Sequence, residues 1–245
     1  MSTAFIIGNG ESRAIFPIEK LKGYGTIYGC NAIYRDYPEL CDKIVSVNPE
    51  MSEELLEAQK NNKIPTDIKI YTAQNIPTFN YVLTNDPAND PHRFWHGNDP
   101  KSGKTKTHDF AKNRGSGCSA VQLACEDNCQ NIFIIGFDIL GARQWEMNKG
   151  ILSRRQNNMY KNTNNYPSRV SMKAYLKFEW IYQLRQIARH YHDKNFYFIN
   201  RSEYLDENIH LHQAMGDVGN FQYGIYADLK RFMDESTAKI NWRRY

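Results

Sequence analysis

Asn9, Asn31, Asn48, Ser116 and Asp138 are the residues of this chain whose types and placement could do chemistry together. Each ends or follows an apolar run that reads as a strand, or opens a helical pattern. Neutral carboxamides can read the edge of a nucleobase and a ribose while leaving phosphate unrepelled. Ser116, with Gly117 and the backbone amides after it, could hold that phosphate at a helix N-terminus. Asp138 adds a carboxylate to this set. Any one of these residues could equally cap a helix or turn the backbone. Their joint position at one sheet edge is what points to a ligand.

The elements that must position them read clearly in places. Ala4, Phe5, Ile6 and Ile7 show no alternation, as expected for a strand buried on both faces of a parallel sheet. Gly8-Asn9-Gly10 follows, read as a loop whose glycines let the backbone turn and approach a ligand, with Ser12 helping to cap a short helix. A second apolar run ends at Gly29-Cys30-Asn31. Lys43 to Asn48 reads as a third strand stopped by Pro49, Met51 to Gln59 as a helix, and Asp67 to Tyr71 as a fourth strand. Ser116 is the expected N-cap of a helix with Cys118, Val121, Ala124 and Cys125 on its apolar face. Asn131 to Gly136 is the next strand. A long helix, with Ser168 at its start, buries Ala174, Phe178, Ile181, Leu184 and Ile187. Asn195 to Asn200 is read as the last strand and Tyr223 to Met233 as a helix. The expected architecture is α/β: one domain over 1–245, a Rossmann-like, mostly parallel sheet with helices on both faces. Irregular insertions fall at about 72–113 and 141–168, the second read as a mobile lid.

Several chemistries are disfavoured by what these motifs lack. Arg13 stands where the dinucleotide fingerprint needs its third glycine, and the second strand ends in Cys30-Asn31 instead of an acid for ribose. No D-x-D pair, H-E-x-x-H helix or G-x-S-x-G elbow occurs, so no metal site is expected. The five cysteines lack C-x-x-C spacing and read as buried thiols. With 245 residues, 41% of them hydrophobic, the chain can bury a sizeable core. A net charge of +4 favours an anionic substrate without establishing nucleic-acid binding. No 18-residue apolar run or signal peptide is seen, so a cytoplasmic protein without a membrane span is expected.

The ordered motifs resemble those of the sialyltransferase family that uses CMP-sialic acid on a Rossmann-like domain with a lid. Its G-N-G-P-S is matched by Gly8-Asn9-Gly10-Glu11-Ser12, and its C-N-x-x-Y by Cys30-Asn31-Ala32-Ile33-Tyr34. Its N-P is matched by Asn48-Pro49, its S-G by Ser116-Gly117 and its G-x-D by Gly136-Phe137-Asp138. Order and approximate spacing agree over roughly residues 4–200. The resemblance implies a nucleotide-sugar donor, with no separate cofactor, contacted by the three asparagines and the serine. Lid tyrosines at its phosphate would correspond to Tyr160 and Tyr166. It also implies metal-independent displacement of CMP by an acceptor hydroxyl.

Two positions depart from the family. Glu11 replaces a proline, and the family's lid histidine has no counterpart in Asn164-Asn165-Tyr166-Pro167-Ser168-Arg169. His108, His210, His212 and Asp138 are then the candidate bases. The acceptor is expected to be a glycan or a hydroxymethylated base in phage DNA, since the opening block is also similar to proteins of tailed bacteriophages. The host cytoplasm would then be the location. Basic residues at Lys101, Lys104, Lys106, Lys112, Arg143, Arg154 and Arg155 are compatible with a DNA acceptor. A non-catalytic nucleotide-binding or DNA-binding phage accessory protein is the alternative.

Overall fold

Seven short apolar runs hydrogen-bond in parallel to make one sheet. The computed structural model describes residues 2–73, 115–139, 158–166, 174–234 and 240–245, apart from the side chains of 174–179, 207, 209 and 210. The strands are β1 (Thr3–Ile7), β2 (Thr26–Cys30), β3 (Lys43–Ser46), β4 (Lys69–Thr72), β5 (Asn131–Ile135), β6 (Asn195–Asn200) and β7 (Phe221–Ile225). Their order is β4-β3-β2-β1-β5-β6-β7, and every pairing is parallel. The fold is therefore α/β and Rossmann-like, with the direction of winding reversing between β1 and β5.

Burial explains the first strand's lack of alternation. Ala4 and Ile6 enter one core with Tyr28, Val45, Ile132 and Ile134. Phe5 and Ile7 enter the opposite core with Ile27, Ile44, Phe133 and Ile135. Right-handed crossovers then assign the helices. Helix α1 (Pro49–Lys60) joins strands that wind one way and covers the second core. Helices α2 (Ser116–Glu126) and α3 (Ala174–His190) cover the first, through Val121, Ala124, Ile181, Leu184 and Ile187. The side chains of Ala174 and Phe178, expected on the same stripe, lie outside the described set. Two short helices, α4 (Ser202–Glu207) and α5 (Ile209–Met215), precede β7, and α6 (Tyr226–Asp234) follows it.

The structure corrects the sequence reading in four places. The expected helix after β1 is two 3-10 turns, Glu11–Ile15 and Ile18–Leu21, because Pro17 interrupts the segment and cannot donate a helical hydrogen bond. The third strand stops at Ser46, since Asn48 already caps α1 through its side chain and Pro49 occupies the first helical position. The fourth strand lies slightly later than expected, at Lys69–Thr72. Phe221–Ile225 is a seventh strand, where Tyr223 to Ile225 had the pattern of a helix start. Its Gly224 makes room for an indole: a Cβ there would lie 2.4 Å from Trp242. The insertion from 74 onward with Trp95, His92, His96, His108 and its lysines lies outside the described residues. So do 140–157, with Arg143, Arg154 and Arg155, and 167–173, with Ser168.

Candidate active site

The C-terminal ends of β1, β2, β3 and β5 meet at the winding reversal, where open parallel sheets form their ligand crevice. A cavity of about 440 Å³ lies there. Gly8, Asn9, Gly10, Asn31, Asn48, Ser116, Gly117, Asp138 and Tyr166 all line it, so strand ends far apart in sequence bring most of the expected set together.

The loops after β1 and β5 are interlocked. Gly8 and Gly10 donate their amides to the carbonyls of Ile135 and Gly136, both at 2.8 Å. A Cβ on Gly8 would lie 2.5 Å from the Gly136 carbonyl, and one on Gly10 would lie 2.5 Å from the Asp138 carboxyl carbon. Glycine is thus required by the neighbouring loop. Gly10 has an extended backbone with φ −65°, so it is not there to adopt a left-handed turn. Gly136, with φ 68°, is the left-handed residue that turns the chain out of β5. The amide of Ser12, the residue expected to help cap a helix here, donates to Asp138 Oδ2 at 2.9 Å. Asp138 Oδ1 accepts from Asn200 Nδ2 at 3.3 Å, so the carboxylate is braced from two sides.

Among the described residues, two buried carboxamide oxygens of this wall have no protein partner. Asn9 is buried, gives its Nδ2 hydrogen to the Tyr166 hydroxyl at 3.1 Å, and leaves Oδ1 buried and unpaired. Asn31 Oδ1 is likewise buried and unpaired, and its backbone is left-handed at φ 53°. An unsatisfied buried acceptor is costly, and both sit on a cavity wall where a ligand N–H or O–H could satisfy them. Asn48, also in the lining, accepts the Met51 amide through Oδ1 at 3.0 Å.

Ser116 is the first residue of α2, not its cap; Gly115 precedes it in an extended conformation without a side-chain hydrogen bond. Ser116 Oγ accepts from the Val47 amide at 3.1 Å, tying α2 to the end of β3. The uncapped first turn of α2 opens into the cavity, so its amides and dipole supply the positive potential there. No Lys or Arg is among the described lining residues, and Asp138 is their one carboxylate.

Residues 158–166 lie across this edge. The Met159 amide donates to the Asn9 carbonyl at 2.9 Å, and Asn158, Asn165 and Tyr166 enter the lining. Burial pushes the Tyr166 hydroxyl up to about 12, opposed by its hydrogen bond with Asn9, so it stays protonated at neutral pH. Tyr160 does not face the cavity. Its buried hydroxyl accepts from Arg13 Nη2 at 2.9 Å, while Arg13 Nε reaches Met159 Sδ at 3.0 Å. Arg13, which breaks the dinucleotide motif, is fully buried here as the anchor of this segment.

Of the candidate bases whose side chains are described, Asp138 is in the lining and His212 is not. His212 lies on α5, stacked on Tyr245 at 3.8 Å and 5°, away from the lining residues. His210 is on the same helix with its side chain outside the described set, and His108 is outside the described residues altogether. Sequence reasoning did not single out Phe137, Asn158, Asn165 or Trp180 as wall residues. The signal present for Trp180 was a large aromatic one position off the apolar stripe of α3. Among the described residues no group of three or more His, Cys, Asp or Glu side chains could hold a metal ion. All five cysteines are buried, and none is in a disulfide. No helix among the described residues is long and apolar enough to cross a membrane.

No family model matches the chain, and neither a curated protein nor a solved structure matches it.

Proposed function

We propose that the chain is a metal-independent glycosyltransferase that moves a sugar from a nucleotide-activated, CMP-sugar-like donor to an acceptor hydroxyl. The observation that carries this reading is the cavity at the winding reversal, where the unpaired oxygens of Asn9 and Asn31 stand beside Asn48, Ser116 and the open end of α2. The amide oxygens accept hydrogen bonds from a base or ribose, and α2 and Ser116 receive phosphate. In the reaction the acceptor oxygen bonds to the anomeric carbon as the bond from that carbon to the phosphate oxygen breaks. The bonding pair leaves with the nucleotide. Asp138, the carboxylate among the described lining residues, takes the acceptor proton. Metal independence rests on the absence of D-x-D and on the family resemblance.

The test is a thermal-shift screen of CMP-, UDP- and GDP-sugars with and without EDTA. A site occupied at one hundred times its dissociation constant gains about 2.7 kcal/mol, easily seen in such a screen. The donor with the largest shift is then assayed with glycans and with DNA carrying hydroxymethylated bases, which distinguishes the two acceptor classes and a cytoplasmic phage role. Binding that resists EDTA and is lost in Asn31→Ala and Asn48→Ala supports the reading; no binding by any donor sinks it. A second reading, a nucleotide-binding module without transfer chemistry, is favoured by the absence of histidine among the described lining residues. Turnover of the best donor removes it.

A further inference from the structure

We infer that Arg35 and Glu54 are positioning residues that latch residues 158–166 over the cavity and thereby set how long a ligand stays. The inference builds on the ligand-site reading above, but its geometry is independent of which nucleotide binds. Asn31–Arg35 is a 3-10 turn that opens with the left-handed Asn31 of the cavity wall and closes with Arg35. Arg35 donates to Glu54 through Nε at 2.9 Å and through Nη2 at 2.6 and 2.7 Å. The same guanidinium reaches Thr163 Oγ1 at 2.6 Å and the Asn164 carbonyl at 3.0 Å. Glu54 also accepts from the Tyr34 hydroxyl at 2.6 Å and from Asn165 Nδ2 at 2.7 Å.

These contacts join three pieces of the site. Glu54 belongs to α1, which carries Asn48 at its cap and Met51 on the wall; Arg35 belongs to the turn of Asn31; Asn165 and Tyr166 belong to the segment above. Asn162 and Asn165 hold that segment in its double turn with φ 68° and 64°. Left-handed asparagines are tolerable but costly, so the conformation needs outside support. Arg35 and Glu54 supply it from the body of the protein. Both side chains are about four-fifths shielded, at 20% and 21% exposure, where a forked ion pair is weakly screened and rigid. The Arg35 guanidinium also lies over the Tyr160 ring at 5.8 Å.

Arg35→Lys, Arg35→Ala and Glu54→Gln in the full chain test this. Hydrogen exchange at the amides of 158–166 is expected to rise roughly tenfold or more, the equivalent of about 1.4 kcal/mol, with β1 and β5 unchanged. With CMP-sialic acid as the probe, the off-rate is expected to rise by roughly tenfold while the on-rate stays within about twofold. Arg35→Lys keeps the charge but cannot bridge Glu54, Thr163 and Asn164 at once, so it should behave nearer to Ala than to the parent. The charge-swapped pair Arg35→Glu with Glu54→Arg restores the ion pair and should recover part of the protection. Unchanged exchange at 158–166, or exchange raised equally throughout the sheet, overturns the latch. If the parent binds no CMP-sialic acid, the donor assignment fails while the exchange measurement still decides the latch.

Discussion

At the scale of single residues, Asn31 carries two separable duties. Its backbone must be left-handed, which glycine adopts freely and alanine does not, and its side chain offers an unpaired oxygen to the cavity. Asn31→Gly should keep the fold within about 0.5 kcal/mol, because Gly relieves the backbone strain, yet weaken nucleotide binding about tenfold. Asn31→Ala should lose binding to the same extent and about 1 kcal/mol of stability besides. Denaturant unfolding and calorimetric titration of the two variants read the duties apart. Gly10 is the opposite case, with no side-chain role. Gly10→Ala would drive a methyl to 2.5 Å from Asp138 and from the Gly136 carbonyl, so the β1 and β5 loops must separate. About 1–3 kcal/mol of destabilisation is expected, seen as a lower melting temperature, together with weaker binding as the Ser12 to Asp138 bond is lost. The asparagines were legible because their type and their place after apolar runs coincide. The glycines were legible as necessary but not for the right cause, since the neighbouring loop that demands them lies more than a hundred residues away in the chain.

At the scale of elements, periodicity located those whose burial is symmetrical and missed the one that a remote segment completes. β1 and β5 are buried on both faces by helices and read directly as unbroken apolar runs. β7 reads FQYGI, and its glycine makes sense only with Trp242 laid over it. That segment runs antiparallel to β7 at Arg243, which exchanges both backbone hydrogen bonds with Tyr223 at 3.0 and 2.9 Å and so covers the sheet edge. Trp242 also lies tilted against Tyr197 at 4.6 Å and meets Phe133 edge-on at 5.9 Å. Trp242→Ala should therefore cost about 3 kcal/mol in denaturant unfolding, beyond the loss of an exposed aromatic, because it opens a gap over Gly224. Trp242→Phe should recover roughly half of that. A loss below about 1 kcal/mol for the alanine variant would show that the segment does not stabilise the edge.

At the scale of the whole molecule, the winding order decides which residues can meet. Reversal between β1 and β5 places four strand ends around one cavity, so a constellation spread from Gly8 to Tyr166 becomes local. The same topology sends α5 and β7 to the far side of the sheet order, and His212 with them, where it serves packing. Its ring is stacked on Tyr245 and stands edge-on to Tyr223 at 5.2 Å, with Nε2 buried and without a partner among the described residues. Burial holds its imidazole below the ordinary histidine range, opposed by the Asp206 carboxylate and a backbone hydrogen bond with Leu205. A histidine whose folded pKa is depressed favours folding in its neutral form. Its contribution is complete above the unfolded pKa of about 6.5 and is lost as pH falls from there through the folded value. The parent should therefore lose more stability between about pH 7.5 and pH 5 than His212→Phe, which keeps the stacking but cannot charge. Denaturant midpoints measured across that window check it: parallel curves for the two proteins would show that His212 does not titrate with unfolding, and a steeper parent curve that it does.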